Sequence, residues 1–158
     1  MKTSTPAVLF ICTGNICRSP TAHALLVHKA RLAGFAVEVD SAAISDEERG
    51  NPPDARSVAE ARRRGIEMPA HCARQVRASD FERFDWLVGM TQQHCAALRR
   101  RAPADGARKV RLLSEFAPAI GGDVPDPWYG GHQAFIEAFD LIDLGVEGLI
   151  AQLRRDAA

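Results

Sequence analysis

The sequence predicts a three-layer α/β fold, with helices on both sides of a four-stranded parallel sheet. Short apolar runs typical of buried strands alternate along the chain with amphipathic helical patterns. A length of 158 residues suits one hydrophobic core, so we expect residues 1–158 to form a single domain. The composition, 46% hydrophobic and 25% charged, is that of an ordinary globular protein and argues against a disordered or collagen-like chain.

The first half of the chain contains two predicted strands and two predicted helices. Val8 to Ile11 is a continuous apolar run, as expected for a strand buried on both faces. Ser19 and Pro20 predict the N-cap and first turn of a helix that ends at Gly34. The remaining elements are a strand at Ala36 to Asp40 and a helix that Asp54 caps and Gly65 ends.

The second half continues the alternation. Ser79 and Glu82 form a possible capping box, and Trp86 to Val88 reads as the third strand. Thr91 is placed to cap a helix that ends before Pro103, and the fourth strand is predicted at Val110 to Leu113. The C-terminal segment is predicted to be a long amphipathic helix because apolar residues recur every three or four positions, at Phe135, Phe139, Ile142, Val146, Leu149, Ile150 and Leu153.

The charge distribution argues against a nucleic-acid partner. Twenty basic residues, seventeen of them Arg, balance twenty acidic ones. The Arg runs at 62–64, 99–101 and 154–155 fall at predicted helix C-termini, where cations interact favourably with the helix dipole. Residues 121–153 contain six acidic residues and no Lys or Arg, so this part of the chain would repel phosphates.

Membrane insertion, secretion and a zinc site are not expected either. The longest apolar run, Ala7 to Cys12, is far shorter than the ~20 residues that cross a bilayer, and no signal-peptide pattern precedes it. We therefore expect a cytoplasmic protein without a membrane partner, whose four cysteines are free. His71-Cys72 and His94-Cys95 are adjacent pairs whose side chains diverge, which disfavours a structural zinc site.

The segment from Cys12 to Ser19 is the strongest functional signal. Ligands of parallel sheets bind beyond the carboxyl ends of the strands, where this segment leaves the first strand and enters a helix. Backbone N–H groups at a helix start can cradle an anion, Gly14 permits a tight turn, and Arg18 can bind two phosphate oxygens. The same positive environment favours the thiolate form of Cys12. This pattern predicts a phosphate-binding loop with a nucleophile.

A second loop offers a proton donor for a leaving oxygen. Glycine pairs bracket residues 121–131, and Asp126 lies between two prolines that favour an extended backbone. Trp128 and Tyr129 are suited to wall a pocket for an aromatic ring. Asp123 in the same loop is the rival acid.

Together these motifs resemble the low-molecular-weight protein tyrosine phosphatases over nearly the whole chain. The resemblance rests on Val8 to Pro20, Asp40 to Ala43, Gly50 to Asp54, His71 to Gln75, and Asp126-Pro127. It implies hydrolysis of phosphotyrosine in proteins or peptides through a cysteinyl-phosphate intermediate, without a cofactor or metal. Cys12 would attack phosphorus, Arg18 would bind the phosphate oxygens, and Asp126 would act as general acid and base.

The resemblance also assigns supporting roles. Cys17 would be the redox partner of Cys12. Asn15, Ser19, Ser41 and His71 would form a hydrogen-bond network that holds the loop. Phosphate or substrate would contact Thr13, Gly14, Asn15, Ile16, Cys17, Ser19, Trp128 and Tyr129.

Departures from the family pattern and neighbouring families leave alternatives. Glu47 stands where many members carry an aromatic residue in the pocket wall, so the sequence does not decide how tightly this wall binds the substrate ring. Related arsenate reductases use a closely spaced cysteine pair, whereas Cys72 and Cys95 are 23 residues apart. Protein arginine phosphatases tend to carry Thr at the position of Ile16. A non-catalytic phosphate-binding module would keep Arg18 and lose the nucleophile or the acid.

Overall fold

The computed structural model describes residues 4–158 and confirms the α/β prediction. Four parallel strands form one sheet in the order β2-β1-β3-β4. The strands are β1 (Ala7–Cys12), β2 (Glu38–Ala43), β3 (Trp86–Gly89) and β4 (Val110–Leu112). The helices are α1 (Arg18–Ala33), α2 (Ala55–Arg63), the single turn α3 (Asp80–Arg83), α4 (Gln92–Arg101) and α5 (His132–Ala157).

The central strand β1 supplies both hydrophobic cores. All six of its residues are buried, and alternate side chains point to opposite faces of the sheet. Val8 and Phe10 pack into the core that includes α1 and α5, whereas Leu9 and Ile11 pack into the core that includes α4. Burial on both faces explains why this strand reads as a continuous apolar run.

The strand order places a binding crevice at the carboxyl end of β1. The chain passes from β1 to β2 on one side and later to β3 on the other, so the direction of winding reverses between β1 and β3. Such a switch point opens a crevice beyond the strand ends. Cys12 ends β1 at this crevice.

Three local predictions are wrong. The second strand is shifted to Glu38–Ala43, because its buried half consists of the small residues Ser41 to Ala43, which give a weak apolar signal. Helix α1 begins at Arg18 without a side-chain cap; the Ser19 hydroxyl has other partners, described below. Ser79 forms no cap bond either, and the Asp80 carboxylate instead accepts the Arg77 N–H at 2.8 Å.

Two arginines of the run at the end of α2 bind a carboxylate, so this run does more than interact with the C-terminal end of the helix. Glu60 is buried, and Arg63 and Arg64 bond to its Oε2 at 2.5 and 2.6 Å. The hydrogen bond from Arg63, supported by Arg64, lowers the pKa of Glu60 to about 2 although burial opposes this shift. Arg64 also lies over the Phe139 ring, so the run helps to join α2 to α5.

Within residues 4–158, no helix has both the length and the apolar character needed to span a membrane. The long helix α5 instead places one apolar face against the core; the buried residues on it include Phe135, Phe139, Ile142, Val146, Leu149 and Leu153. This confirms the predicted amphipathic C-terminal helix.

We expect Gly148→Ala to destabilise the protein. Alanine normally stabilises a helix by about 1 kcal/mol relative to glycine. At this position on α5, however, a Cβ would overlap the backbone carbonyl of Phe116, so the backbone must shift. The free energy of unfolding, measured by urea denaturation, should fall by about 1–3 kcal/mol.

Gly131→Ala is the matched control, because Gly131 caps the same helix and a Cβ there meets open space. Its effect should stay below about 1 kcal/mol. A Gly148→Ala protein more stable than the wild type would show that the contact with Phe116 is loose.

Candidate active site

The loop between β1 and α1 turns its carbonyl groups outward. The carbonyl oxygens of Cys12, Thr13, Ile16 and Cys17 accept hydrogen bonds from the backbone N–H groups of Ile44, Ser45, Asp54 and Thr21, respectively, at 2.8–3.2 Å. The N–H and C=O of one trans peptide unit point in opposite directions. The N–H groups that follow these carbonyls therefore face the interior of the loop, which is the geometry of an anion cradle at a helix N-terminus.

The sulfur of Cys12 lies inside this loop and is hydrogen-bonded. The Sγ atom is 3.0 Å from the Ser19 hydroxyl and accepts the Asn15 backbone N–H at 3.3 Å. The hydroxyl of Ser19 thus serves the sulfur rather than capping the helix, which is why the predicted N-cap is absent.

A chain of hydrogen bonds supports the loop from behind. Asn15 adopts a left-handed backbone conformation, with φ of 60°, and its side-chain amide donates to Ser19 Oγ at 2.8 Å. Its Oδ1 accepts from His71 Nε2 at 2.7 Å, and this nitrogen is 3.3 Å from Ser41 Oγ. The structure thus brings together the four residues of the predicted network. The side chains of Asn15 and Ser19 are fully buried.

Arg18 connects the phosphate loop (residues 12–19) to the proline-rich loop (residues 121–131). Its Nη1 donates to the Val124 carbonyl at 3.0 Å, and its Nη2 is 3.6 Å from Asp126 Oδ2 and 3.5 Å from Thr13 Oγ1. The Arg18 side chain is 6% exposed, whereas that of Asp126 is 46% exposed. A buried guanidinium and a solvent-accessible carboxyl therefore face each other across the mouth of the loop.

The two acids of the proline-rich loop have different positions. Asp123 Oδ1 accepts the Gln92 N–H at the start of α4, at 2.8 Å. Asp126 instead lines the cleft with Cys12 and Arg18. The geometry favours Asp126 over Asp123 as the group that can reach a bound phosphate ester.

The side chains that line the cleft include an aromatic pair and an acidic pair. Trp128 and Tyr129 form its aromatic wall, and Tyr129 is 94% exposed. Glu47 and Glu48 also line the cleft. The complete lining consists of Cys12, Thr13, Gly14, Ile16, Cys17, Arg18, Ser45, Glu47, Glu48, Asp126, Trp128 and Tyr129. The lining thus contains the predicted residues of the two loops together with Ser45 and Glu48, for which the sequence had given no signal.

Arg56 is a further residue that sequence reasoning missed. Its Nη1 donates to the Trp128 carbonyl at 3.1 Å, and its guanidinium lies over the rings of Trp128 and Phe135. Asp54 accepts from Arg56 Nε and Nη2 at 3.1 and 3.0 Å, and its N–H donates to the Ile16 carbonyl. Arg56 and Asp54 thus connect the aromatic wall to the phosphate loop. The cap position of Asp54 was the only sequence signal for this pair.

His94 is the second missed residue. Its Nδ1 accepts the Thr91 N–H at 3.2 Å, so the neutral ring carries its proton on Nε2 and donates to Thr13 Oγ1 at 3.0 Å. Burial, reinforced by the charge of Arg18, lowers the pKa of His94 to about 4. A neutral imidazole therefore links the start of α4 to the phosphate loop. The predicted Thr91 cap is confirmed, with His94 as the other half of its capping box.

The fold and the site together define an α/β protein with a Cys-x5-Arg phosphate loop at the carboxyl end of its first strand. A family model described as low molecular weight phosphotyrosine protein phosphatase matches residues 7–158. The chain belongs to this family, and it is a protein tyrosine phosphatase by enzyme class.

Named relatives agree with this assignment. The chain is 42% identical over 153 residues to a low molecular weight protein-tyrosine-phosphatase of Streptomyces coelicolor, with 93% of each chain covered. It is 37% identical over 153 residues to YfkJ of Bacillus subtilis, described in the same words, with 95% of this chain and 97% of YfkJ covered.

Solved structures show the same fold. The crystal structure of YfkJ superposes with a TM-score of 0.92 at 34% identity and covers 100% of both chains. A protein tyrosine phosphatase of Entamoeba histolytica, crystallised with Hepes in its active site, gives a TM-score of 0.92 at 30% identity. That match covers 98% of this chain and 100% of the other.

Proposed function

We propose that this enzyme hydrolyses phosphotyrosine in proteins or peptides, and small aryl phosphates, through a cysteinyl-phosphate intermediate in the cytoplasm. Cys12 is the nucleophile, Arg18 binds the phosphate, and Asp126 is the general acid and base. The observation that carries the proposal is the convergence of these three side chains on one cleft, at the mouth of a loop whose N–H groups face inward.

The first chemical step transfers the phosphoryl group to sulfur. The Cys12 thiolate forms a bond to phosphorus as the bond to the tyrosine oxygen breaks, and Asp126 donates its proton to that oxygen. Arg18 and the inward N–H groups stabilise the charge that builds on the equatorial oxygens. Arg18 Nη2 lies 3.6 Å from Asp126 Oδ2 in the free enzyme. A bound phosphate dianion replaces this carboxylate as the partner of Arg18.

The second step releases inorganic phosphate. A water molecule attacks phosphorus, Asp126 accepts its proton, and the sulfur–phosphorus bond breaks to restore the Cys12 thiolate. The hydrogen bonds from Ser19 and the Asn15 N–H to Sγ stabilise the departing thiolate. Both protonation states of Asp126 are therefore used once in each turnover.

Comparison of substrates tests the proposal. The wild-type enzyme is expected to hydrolyse a phosphotyrosine peptide with kcat/KM on the order of 10²-fold above that for the matched phosphoserine peptide. The reason is that Trp128 and Tyr129 contact an aromatic ring at the cleft mouth, while a short serine side chain cannot reach them. Faster turnover of phosphoarginine, or reduction of arsenate, would reassign the enzyme to one of the related families.

We propose that Cys17 protects Cys12 during oxidation. Burial, with a further contribution from Asp54, raises the pKa of Cys17 to about 12, so this side chain stays a thiol at neutral pH. Hydrogen peroxide oxidises the Cys12 thiolate to a sulfenic acid. The Cys17 thiol can then displace water from that sulfur to give a disulfide, which thiols reduce again.

Oxidation followed by reduction tests this role. After hydrogen peroxide treatment and addition of dithiothreitol, the wild type should recover most of its activity. The Cys17→Ser protein should recover at least several-fold less, because its sulfenic acid proceeds to irreversible products. Cys72→Ser, which removes an exposed thiol, should recover like the wild type; equal recovery of all three proteins would contradict the role of Cys17.

A further inference from the structure

A second cluster of polar side chains lies behind the phosphate loop and takes no part in the chemistry above. One ligand atom each from His23, Asp40 and His71 lies within 4.8 Å of the others. His23 belongs to α1, Asp40 to β2, and His71 to the segment after α2. The two imidazole rings make an edge-to-face contact, with centroids 5.8 Å apart.

Hydrogen bonds determine which nitrogen of His71 carries the proton. Asn15 Oδ1 accepts from the Arg74 N–H, and the Asn15 amide nitrogen donates to Ser19, so the orientation of this amide is set. His71 Nε2 lies 2.7 Å from that oxygen and must donate to it. The Nδ1 lone pair of a neutral His71 then points into the cluster, 3.8 Å from Asp40 Oδ1.

A nitrogen lone pair and a carboxylate oxygen repel each other, and a proton or a metal cation between them removes this repulsion. The ring of His23 is placed to contribute a third donor. Its Nδ1 is 3.3 Å from Ser41 Oγ, and donation to this oxygen leaves the Nε2 lone pair free. Histidine ligands of metals characteristically donate their second N–H to a carbonyl or carboxylate oxygen; Asn15 serves His71 in this way, and the Ser41 hydroxyl serves His23.

The surrounding charges also favour a cation. Arg74 lies 3.1 Å from Asp40 Oδ2, but it also binds Asp80 at 2.9 Å. One guanidinium therefore faces two carboxylates, which leaves a net negative charge. Asp40 and His71 have side chains 24% and 10% exposed, so an ion can reach them from solvent.

We propose that His23, Asp40 and His71 bind a divalent first-row transition metal ion, outside the catalytic cleft. Two imidazoles and one carboxylate suit Zn²⁺ and Co²⁺, with water completing the coordination. The chemistry of phosphate hydrolysis does not involve this ion. Through the bond between His71 and Asn15, the ion would stabilise the support of the phosphate loop.

Metal titration in a background without accessible thiols tests the site. Cys12, Cys17 and Cys72 are replaced by serine, because thiolates would bind the same ions. Co²⁺ binding is followed by visible d–d absorption and Zn²⁺ binding by calorimetry. The background protein should bind one equivalent of each ion. His23→Gln and Asp40→Asn should each lower the affinity by more than about 100-fold, beyond the range for outer-shell partners.

His28→Gln is the matched control, since it removes a histidine from the same helix outside the cluster and should bind normally. Circular dichroism checks that each variant is folded, and Zn²⁺ should raise the Tm of the background and His28→Gln proteins but not that of His23→Gln. Absence of binding in the background protein, or equal affinities of His23→Gln and His28→Gln, would overturn the proposal.

Discussion

Cys12→Ser is expected to abolish turnover of aryl phosphates while phosphate binding persists. The loss in kcat should be roughly 10⁴-fold or more, as when other enzymes lose their nucleophile, because a serine hydroxyl is far harder to ionise than a thiol. Serine nearly preserves the shape of the site, and its oxygen can accept the Asn15 N–H that now bonds to Sγ. Calorimetry with inorganic phosphate and steady-state kinetics with an aryl phosphate measure the two effects separately.

Cys72→Ser provides the comparison for this experiment. Cys72 is exposed and does not line the cleft, so its loss should leave kcat unchanged. Substantial turnover by Cys12→Ser would remove Cys12 from the mechanism. Loss of phosphate binding together with turnover would show instead that the sulfur shapes the loop.

Asp126→Asn is expected to have the second largest effect, and its size should depend on the leaving group. An amide cannot donate the proton that a poor leaving oxygen needs, so kcat for alkyl-substituted phenyl phosphates should fall by about 10²–10⁴-fold. Phosphate esters of acidic phenols need little protonation and should be affected much less. A series of aryl phosphates with graded phenol pKa values measures this dependence.

Asp123→Asn is the matched control within the same loop. Asp123 accepts a hydrogen bond from the first residue of α4 and does not line the cleft. In the Asp123→Asn protein, the dependence of kcat on the pKa of the phenol should be as steep as in the wild type. A steeper slope for Asp123→Asn than for Asp126→Asn would exchange the roles of the two acids.

The local elements of the site were predictable because each depends on residues close in sequence. The apolar run from Val8 to Ile11, followed within one loop by a helix, predicts a strand, a phosphate loop and a helix N-terminus in that order. Prolines on both sides of Asp126 restrict its backbone whatever the surroundings. Thr91 caps α4 as predicted, since a cap bond spans only three residues.

Partners far apart in sequence were not predictable in the same way. The hydroxyl of Ser19 suits an N-cap by local rules, yet Cys12 Sγ and the Asn15 amide compete for it, and the buried loop bonds prevail. Arg56 contacts Trp128 across 72 positions. His94 reaches Thr13 across 81 positions. The periodicity of apolar residues does not predict such pairs, because these contacts form only after the sheet has assembled.

The sequence by itself determined the class of fold, the position of the phosphate loop and the identity of its flanking Cys12 and Arg18. Local hydrogen bonding, helix capping and alternating burial are sufficient for these features. Only the tertiary structure decided that Asp126 rather than its rival Asp123 faces Arg18, that Ser45 and Glu48 line the cleft, and that His23 and Asp40 join His71. The physical reason is that these groups meet where separate strands and helices end, so their contacts depend on packing rather than on spacing along the chain.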